Sequence, residues 1–133
     1  MSPNAVEVVR RAYEAFNRGD LDGVVEYGAP DFEYVATGAI PGAAGTYRGT
    51  EEYRRFLDWW WGEFDEPEFE VQELIDAGDQ VFASTTMRGY GKQSGAETSW
   101  GSWQVWTVRD GTVLRGQAFP SRDQALEAAG LRE

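Results

Sequence analysis

The chain has 133 residues, 41% of them hydrophobic and 14% aromatic, which is about one domain with ample apolar surface to bury. Cysteine and histidine are both absent, excluding disulfides, thiolate nucleophiles, Ser-His-Asp triads and histidine- or thiolate-ligated metals, so neither cofactor nor metal is expected. The net charge of −11 would repel a polyphosphate, which argues against a nucleic acid partner. No apolar run approaches the ~18 residues of a membrane span, and no basic-then-apolar leader opens the chain; a cytoplasmic protein without a membrane partner is expected.

The first predicted element is a helix over Asn4 to Asn17. Ala5, Val6, Val9, Ala12, Tyr13 and Phe16 share one face, opposite Glu7, Arg10, Arg11 and Glu14. Gly19 suits a left-handed helix end, and Asp20 caps a second, short helix carrying Leu21, Val24 and Val25, which Pro30 stops. A strand over Asp31–Ala36 follows. Residues Thr37 to Gly49 hold four glycines and Pro41 without periodicity, so this stretch reads as a long loop: either a mobile lid or a plain connector. Thr50 is expected to cap a third helix, with Glu51 and Glu52 at its positive end. Tyr53, Phe56, Leu57, Trp60 and Phe64 make its apolar stripe, and Glu66-Pro67 ends it.

Four strands come next: Phe69–Ile75, Gln80–Tyr90, Glu97–Arg109 and Thr112–Phe119. Asp76-Ala77-Gly78-Asp79, Gly91–Ala96 and Asp110-Gly111 join them, the last a strong two-residue hairpin signal. Ser121-Arg122-Asp123-Gln124 is a capping box for a terminal helix that closes on Gly130, with Leu131 placed to touch Leu126. Long strands joined by tight turns must be antiparallel, and helices gathered before them cover one face. The expected class is α+β: N-terminal helices on a strongly curved antiparallel sheet, one domain over residues 1–133, and a short C-terminal helix.

Five phrases stand out along the chain: Ala15-Phe16-Asn17-Arg18-Gly19-Asp20-Leu21-Asp22, Tyr47-Arg48-Gly49, Ile75-Asp76-Ala77-Gly78-Asp79, Trp106-Thr107-Val108-Arg109-Asp110-Gly111 and Ala125-Leu126-Glu127-Ala128-Ala129-Gly130-Leu131. They resemble the SnoaL-like branch of the nuclear transport factor 2-like superfamily, which includes ketosteroid isomerase-like and polyketide cyclase-like proteins. Together they span nearly the whole chain in order. The resemblance implies a sheet curled into a cone around an apolar pocket. It does not choose among isomerases, cyclases, epoxide hydrolases, dehydratases and non-catalytic binders.

The resemblance also implies where catalytic groups would stand. The first-helix tyrosine and the aspartate of steroid isomerases fall at Ala12 and Ala36. The Asp-Arg-Asp set of limonene epoxide hydrolases falls at Met87, Thr85 and Ala118, and their asparagine at Ala36; only their tyrosine finds a match, at Tyr34. SnoaL-like cyclases rely on an aspartate in this pocket, yet neither Ala118 nor its neighbours Gln117 and Phe119 is acidic.

In the register so implied, Tyr34, Ala36, Ala83, Thr85, Met87, Trp100, Ser102, Gln104, Trp106, Leu114, Gly116 and Ala118 point inward. With Trp60 from the third helix, all but Ala83 and Leu114 of these are the candidate ligand-binding residues. Small residues would leave volume while the tryptophans wall it; alternatively, Trp100 and Trp106 simply fill the core. The opposite parity puts Phe82, Trp103, Val105, Val113 and Phe119 outside, which suggests a homodimer packed sheet on sheet.

Two functional readings follow. One is a module binding a small lipophilic, ring-containing molecule. The other is an isomerase, cyclase or dehydratase in which Tyr34 is the acid or hydrogen-bond donor and Gln104 polarises a carbonyl. Glu33 and Glu97 are the nearest carboxylates in sequence, and both suit a solvated strand edge.

Overall fold

The computed structural model describes residues 4–36 and 45–131. In chain order these form α1 (Ala5–Asn17), α2 (Leu21–Val25), β1 (Gly28–Ala36), β2 (Gly45–Arg48), α3 (Gly49–Glu63), β3 (Phe64–Asp76), β4 (Gln80–Gly91), β5 (Glu97–Arg109), β6 (Thr112–Phe119) and α4 (Arg122–Ala128). The architecture is α+β, with N-terminal helices on a curled, open six-stranded sheet and a short C-terminal helix. No helix of the described residues is long and apolar enough to cross a membrane.

Local chemistry accounts for most element ends. The Asn4 side chain accepts from the Glu7 N–H at 2.8 Å and starts α1. That helix ends where Gly19, at φ 78°, donates to the Phe16 carbonyl, and Asp20 donates to that of Ala15. Its buried face is Val8, Val9, Tyr13, Ala15 and Phe16. Ala5, Val6 and Ala12 of the expected face are only half-buried. Ser121 accepts from the Gln124 N–H to start α4, and Gly130 and Leu131 donate to the carbonyls of Glu127 and Leu126 at its end.

Around α3 the expectation needs correcting. Thr50 is not the cap: the helix starts at Gly49, Arg48 holds the cap position two residues earlier than expected, and its N–H donates to Glu52 Oε1 at 3.0 Å. At the other end Phe64 already belongs to β3. Pro67 does not end a helix but sits inside a strand, beside Glu66 at φ 52° and at a break in register between Asp65 and Glu68. Proline has no N–H for a ladder, so a bulge is where a strand tolerates it. The short strand β2 was not expected; it pairs with β1 and occupies the end of the predicted loop. The lid reading of that loop falls largely on residues 37–44, which lie outside the described residues.

The strand order is β2-β1-β6-β5-β4-β3. Neighbours run antiparallel except β1 and β6, which pair in parallel. Thr85 faces Ser102, Met87 faces Trp100, Gln104 faces Ala118, and Trp106 and Tyr34 both face Gly116. Directly paired residues share a face, so the expected inward parity holds through the middle of the sheet. It fails at the start of β6. There Thr107 pairs with Arg115 but Val108 with Val113, leaving Leu114 as an extra residue. The bulge turns Val113 into the interior cluster, and Leu114 is half-buried without a place in it.

The outer face is covered differently from what alternation suggested. Phe82 and Val105 are buried in a second cluster with Ala125 of α4 and Ala129 at its end, against which Trp103, Phe119, Leu126 and Leu131 pack. Arg122 of α4 lies 5.2 Å from the Phe82 ring centre and pairs with Glu73. Much of the apolar surface that suggested a dimer is therefore buried within the chain.

Candidate functional site

The inner face of the sheet meets α1 and α3 across a dense set of rings. Tyr34 stacks on Trp106 (5.7 Å between ring centres) and on Phe56 (5.9 Å), with Tyr53 tilted against it at 4.9 Å. Phe69 meets Tyr13, Phe16 and Trp60. Trp60 stacks in turn on Trp100, at 6.3 Å and 23°. These rings leave a cavity of about 50 Å³, against the ~300–1,000 Å³ of a drug-sized site. A few non-hydrogen atoms fit it as it stands.

Gly116 shows why the small residues do not leave more room. A Cβ there would come within 2.3 Å of the Trp106 ring and 3.0 Å of the Tyr34 ring. The missing side chain is space already given to Trp106. Trp106 thus both walls the remaining cavity and fills the core.

Of the expected ligand residues, Tyr34, Trp60, Gln104 and Trp106 line this cavity. Ala36, Met87 and Ala118 are buried on the same inner face but outside the lining. Gly116, Thr85 and Ser102 are buried behind Trp106 and Gln104. Trp100 lines a separate open groove of about 820 Å³, with Trp59, Phe64 and Pro120 among its walls.

Tyr13 and Tyr53 also line the cavity, although neither is among the expected ligand residues. Each lay on a predicted inward stripe. The signal was available in residue type, because a phenol buried on such a stripe brings a hydroxyl into the interior. Tyr13 donates to Gln104 Oε1 at 2.5 Å and accepts from Trp106 Nε1 at 3.1 Å. Gln104 Nε2 donates to Ser102 Oγ, and Thr85 Oγ1 donates to the Ser102 carbonyl at 2.8 Å. Gln104 is therefore engaged inside a buried network that ties α1 to β4 and β5.

The cavity lining contains no carboxylate. Glu33 instead sits between Arg48 and Arg115 on the surface, and Glu97 is exposed at the start of β5. Among the described residues no group of three or more acidic side chains converges as a metal site requires. Burial pushes the hydroxyls of Tyr13, Tyr34 and Tyr53 above the ordinary phenol value. They remain protonated at neutral pH, so the site offers hydrogen-bond donors and no general base.

Comparison with known proteins places this geometry. None of the curated proteins matches the sequence. Among solved structures, an NTF2-like protein from Burkholderia thailandensis is 27% identical, with a TM-score of 0.78 and 96% of each chain covered. IdmH from Streptomyces antibioticus, a proposed polyketide cyclase, is 24% identical, with a TM-score of 0.76 over 95% of this chain and 98% of its own. TerC, co-crystallised with polyporic acid, is 23% identical, with a TM-score of 0.76 over 94% and 97%. The family model of the SnoaL-like domain matches residues 9–116, and with the curled sheet and interior cavity described above, this chain belongs to the SnoaL-like family.

Proposed function

We propose that this protein binds a small lipophilic, ring-containing molecule in the interior between α1, α3 and the sheet. The observation that carries the reading is the composition of the cavity wall: aromatic faces, three buried tyrosines and no carboxylate. Such a wall favours an uncharged ligand, because a charge would have no partner of opposite sign there. Protonated phenols would hold a carbonyl or hydroxyl oxygen of that ligand. The SnoaL-like match supports small-molecule binding, as do the fold neighbours IdmH and TerC.

A catalytic role would run on the same donors. The Tyr34 hydroxyl, kept protonated by burial, is suited to polarise a carbonyl in a cyclase- or isomerase-like step, and Gln104 is already engaged with Tyr13 and Ser102. Carboxylate-driven proton abstraction has no residue in the lining to perform it. A homodimer through the outer face left open by α4 belongs to the same reading. Trp103→Glu should disrupt it, and sedimentation of the unmutated chain as a monomer would reject it.

The test is a titration with cyclohexanone followed by ¹H–¹⁵N NMR. Saturable shifts confined to α1, α3 and the inner strands are expected. Tyr34→Phe should weaken binding about tenfold, the equivalent of one hydrogen bond of ~1.4 kcal/mol. Shifts that never saturate, or that scatter over the surface, would reject an interior site.

A further inference from the structure

The interior cavity and the open groove are two compartments with one wall in common. Trp60 lines the cavity and Trp100 lines the groove, and the two indoles stack on each other. Both indole N–H groups are buried without a hydrogen-bond partner. Trp61 shares that property, but it packs on Phe16 and Gly19 and lines neither compartment. Two unpaired donors at one partition are unusual, because buried polar groups nearly always find partners.

The two rings are held to different degrees. Trp60 is 2% exposed and packs against Phe16, Phe56 and Phe69 as well as Trp100. Trp100 is half-buried, and its ring contacts are Trp60 and Phe64. A swing of Trp100 into the groove therefore disturbs few packed rings. It would join the small cavity to a space of more than ten times its volume.

Resting on the reading of the interior as a lipophilic site, we infer that the Trp60–Trp100 pair is a movable partition. A planar two-ring ligand bearing a carbonyl oxygen occupies the joined space, with that oxygen accepting from the indole N–H groups. The pair thereby sets both a size limit and a chemical preference. A one-ring ligand needs the walls of the small cavity to spread but not the partition to open, whereas a two-ring ligand needs the partition open and the oxygen that repays the displaced stack.

The probes are 1,4-naphthoquinone, its oxygen-free counterpart naphthalene, and cyclohexanone as the one-ring reference. Naphthoquinone should bind and move the indole ¹H–¹⁵N resonances of Trp60 and Trp100, assigned through Trp60→Phe and Trp100→Phe. Trp100→Phe, checked by thermal melting for an intact fold, should weaken naphthoquinone about tenfold, one hydrogen bond's worth. Naphthalene should bind more weakly than naphthoquinone and be indifferent to that substitution. Equal naphthoquinone affinity in the unmutated protein and both variants would overturn the inference, as would unmoved indole resonances at saturation. Binding of cyclohexanone without naphthoquinone would show a partition that stays shut, and would leave the interior reading standing. Binding of neither would reject both.

Discussion

At the Tyr13 end of the interior, polar atoms are matched to one another: Tyr13 with Gln104 and Trp106, Gln104 with Ser102, Thr85 with the Ser102 carbonyl. At the Trp60 end, two indole N–H groups are equally buried and meet no acceptor. The same kinds of ring pack both ends, so apolar burial does not separate them. The difference lies in the hydrogen bonds. A matched network holds α1 against β4 and β5 in one arrangement. An unmatched pair costs stability where it stands and gains if an acceptor arrives. Under the proposed function, the first end is scaffold and the second is the end where a ligand would be received.

Alkali should break both ends together, with the largest effect. Tyr13, Tyr34 and Tyr53 have hydroxyls raised above the ordinary phenol value by burial. Because the folded value lies above the unfolded one, this stability is fully present below pH ~10. Above that the unfolded chain releases protons that the folded chain retains, and stability falls. Three such groups lose ~4 kcal/mol per pH unit, at ~1.36 kcal/mol each. Urea unfolding at pH 8 and pH 11 measures the difference; equal midpoints would mean that these phenols reach water.

The matched end alone is broken by Gln104→Leu, which keeps the bulk and removes both amide atoms. Tyr13 loses its acceptor and Ser102 a donor, so a loss of ~2–3 kcal/mol in urea unfolding is expected. A change below ~0.5 kcal/mol would show that the network contributes nothing to holding α1. The unmatched end should respond least. Trp100→Phe gives up apolar area but also sheds a buried donor without a partner, and the two effects oppose each other to within ~1 kcal/mol. A loss above ~2 kcal/mol would mean that the Trp100 N–H is satisfied in solution, and the contrast between the ends would disappear.

What could be read in the sequence, and what could not, follows from the range of the interactions concerned. Asp110-Gly111 makes its turn because both residues adopt positive φ, 53° and 77°, a preference carried by two adjacent residues. The Ser121 cap and the Gly130 helix end depend on residues within one turn of them. Alternation along β4 and β5 was legible because a strand's side-chain period is two wherever the ladder is regular. The site was half legible. Tyr34, Trp60, Gln104 and Trp106 reach the cavity; Tyr13 and Tyr53 reach it too, from apolar helix stripes whose periodicity marks burial but not a cavity wall.

The sequence by itself therefore determined the order of the elements other than β2, the caps of α2 and α4, the tight turns between the long strands, the inward parity at the middle of the sheet, and the lack of histidine and cysteine chemistry. Each depends on composition or on residues a few positions apart. The tertiary structure decided the rest. It set β1 beside β6 in parallel, placed the bulge that turns Val113 inward and laid α4 across Phe82 and Val105. It also decided how much of the cone stays empty. That last quantity is a difference between the volume the backbone encloses and the volume of rings brought together from α1, α3, β1, β3 and β5. No local pattern encodes such a difference, because Trp106 takes the space over Gly116 only when β5 and β6 meet in this register.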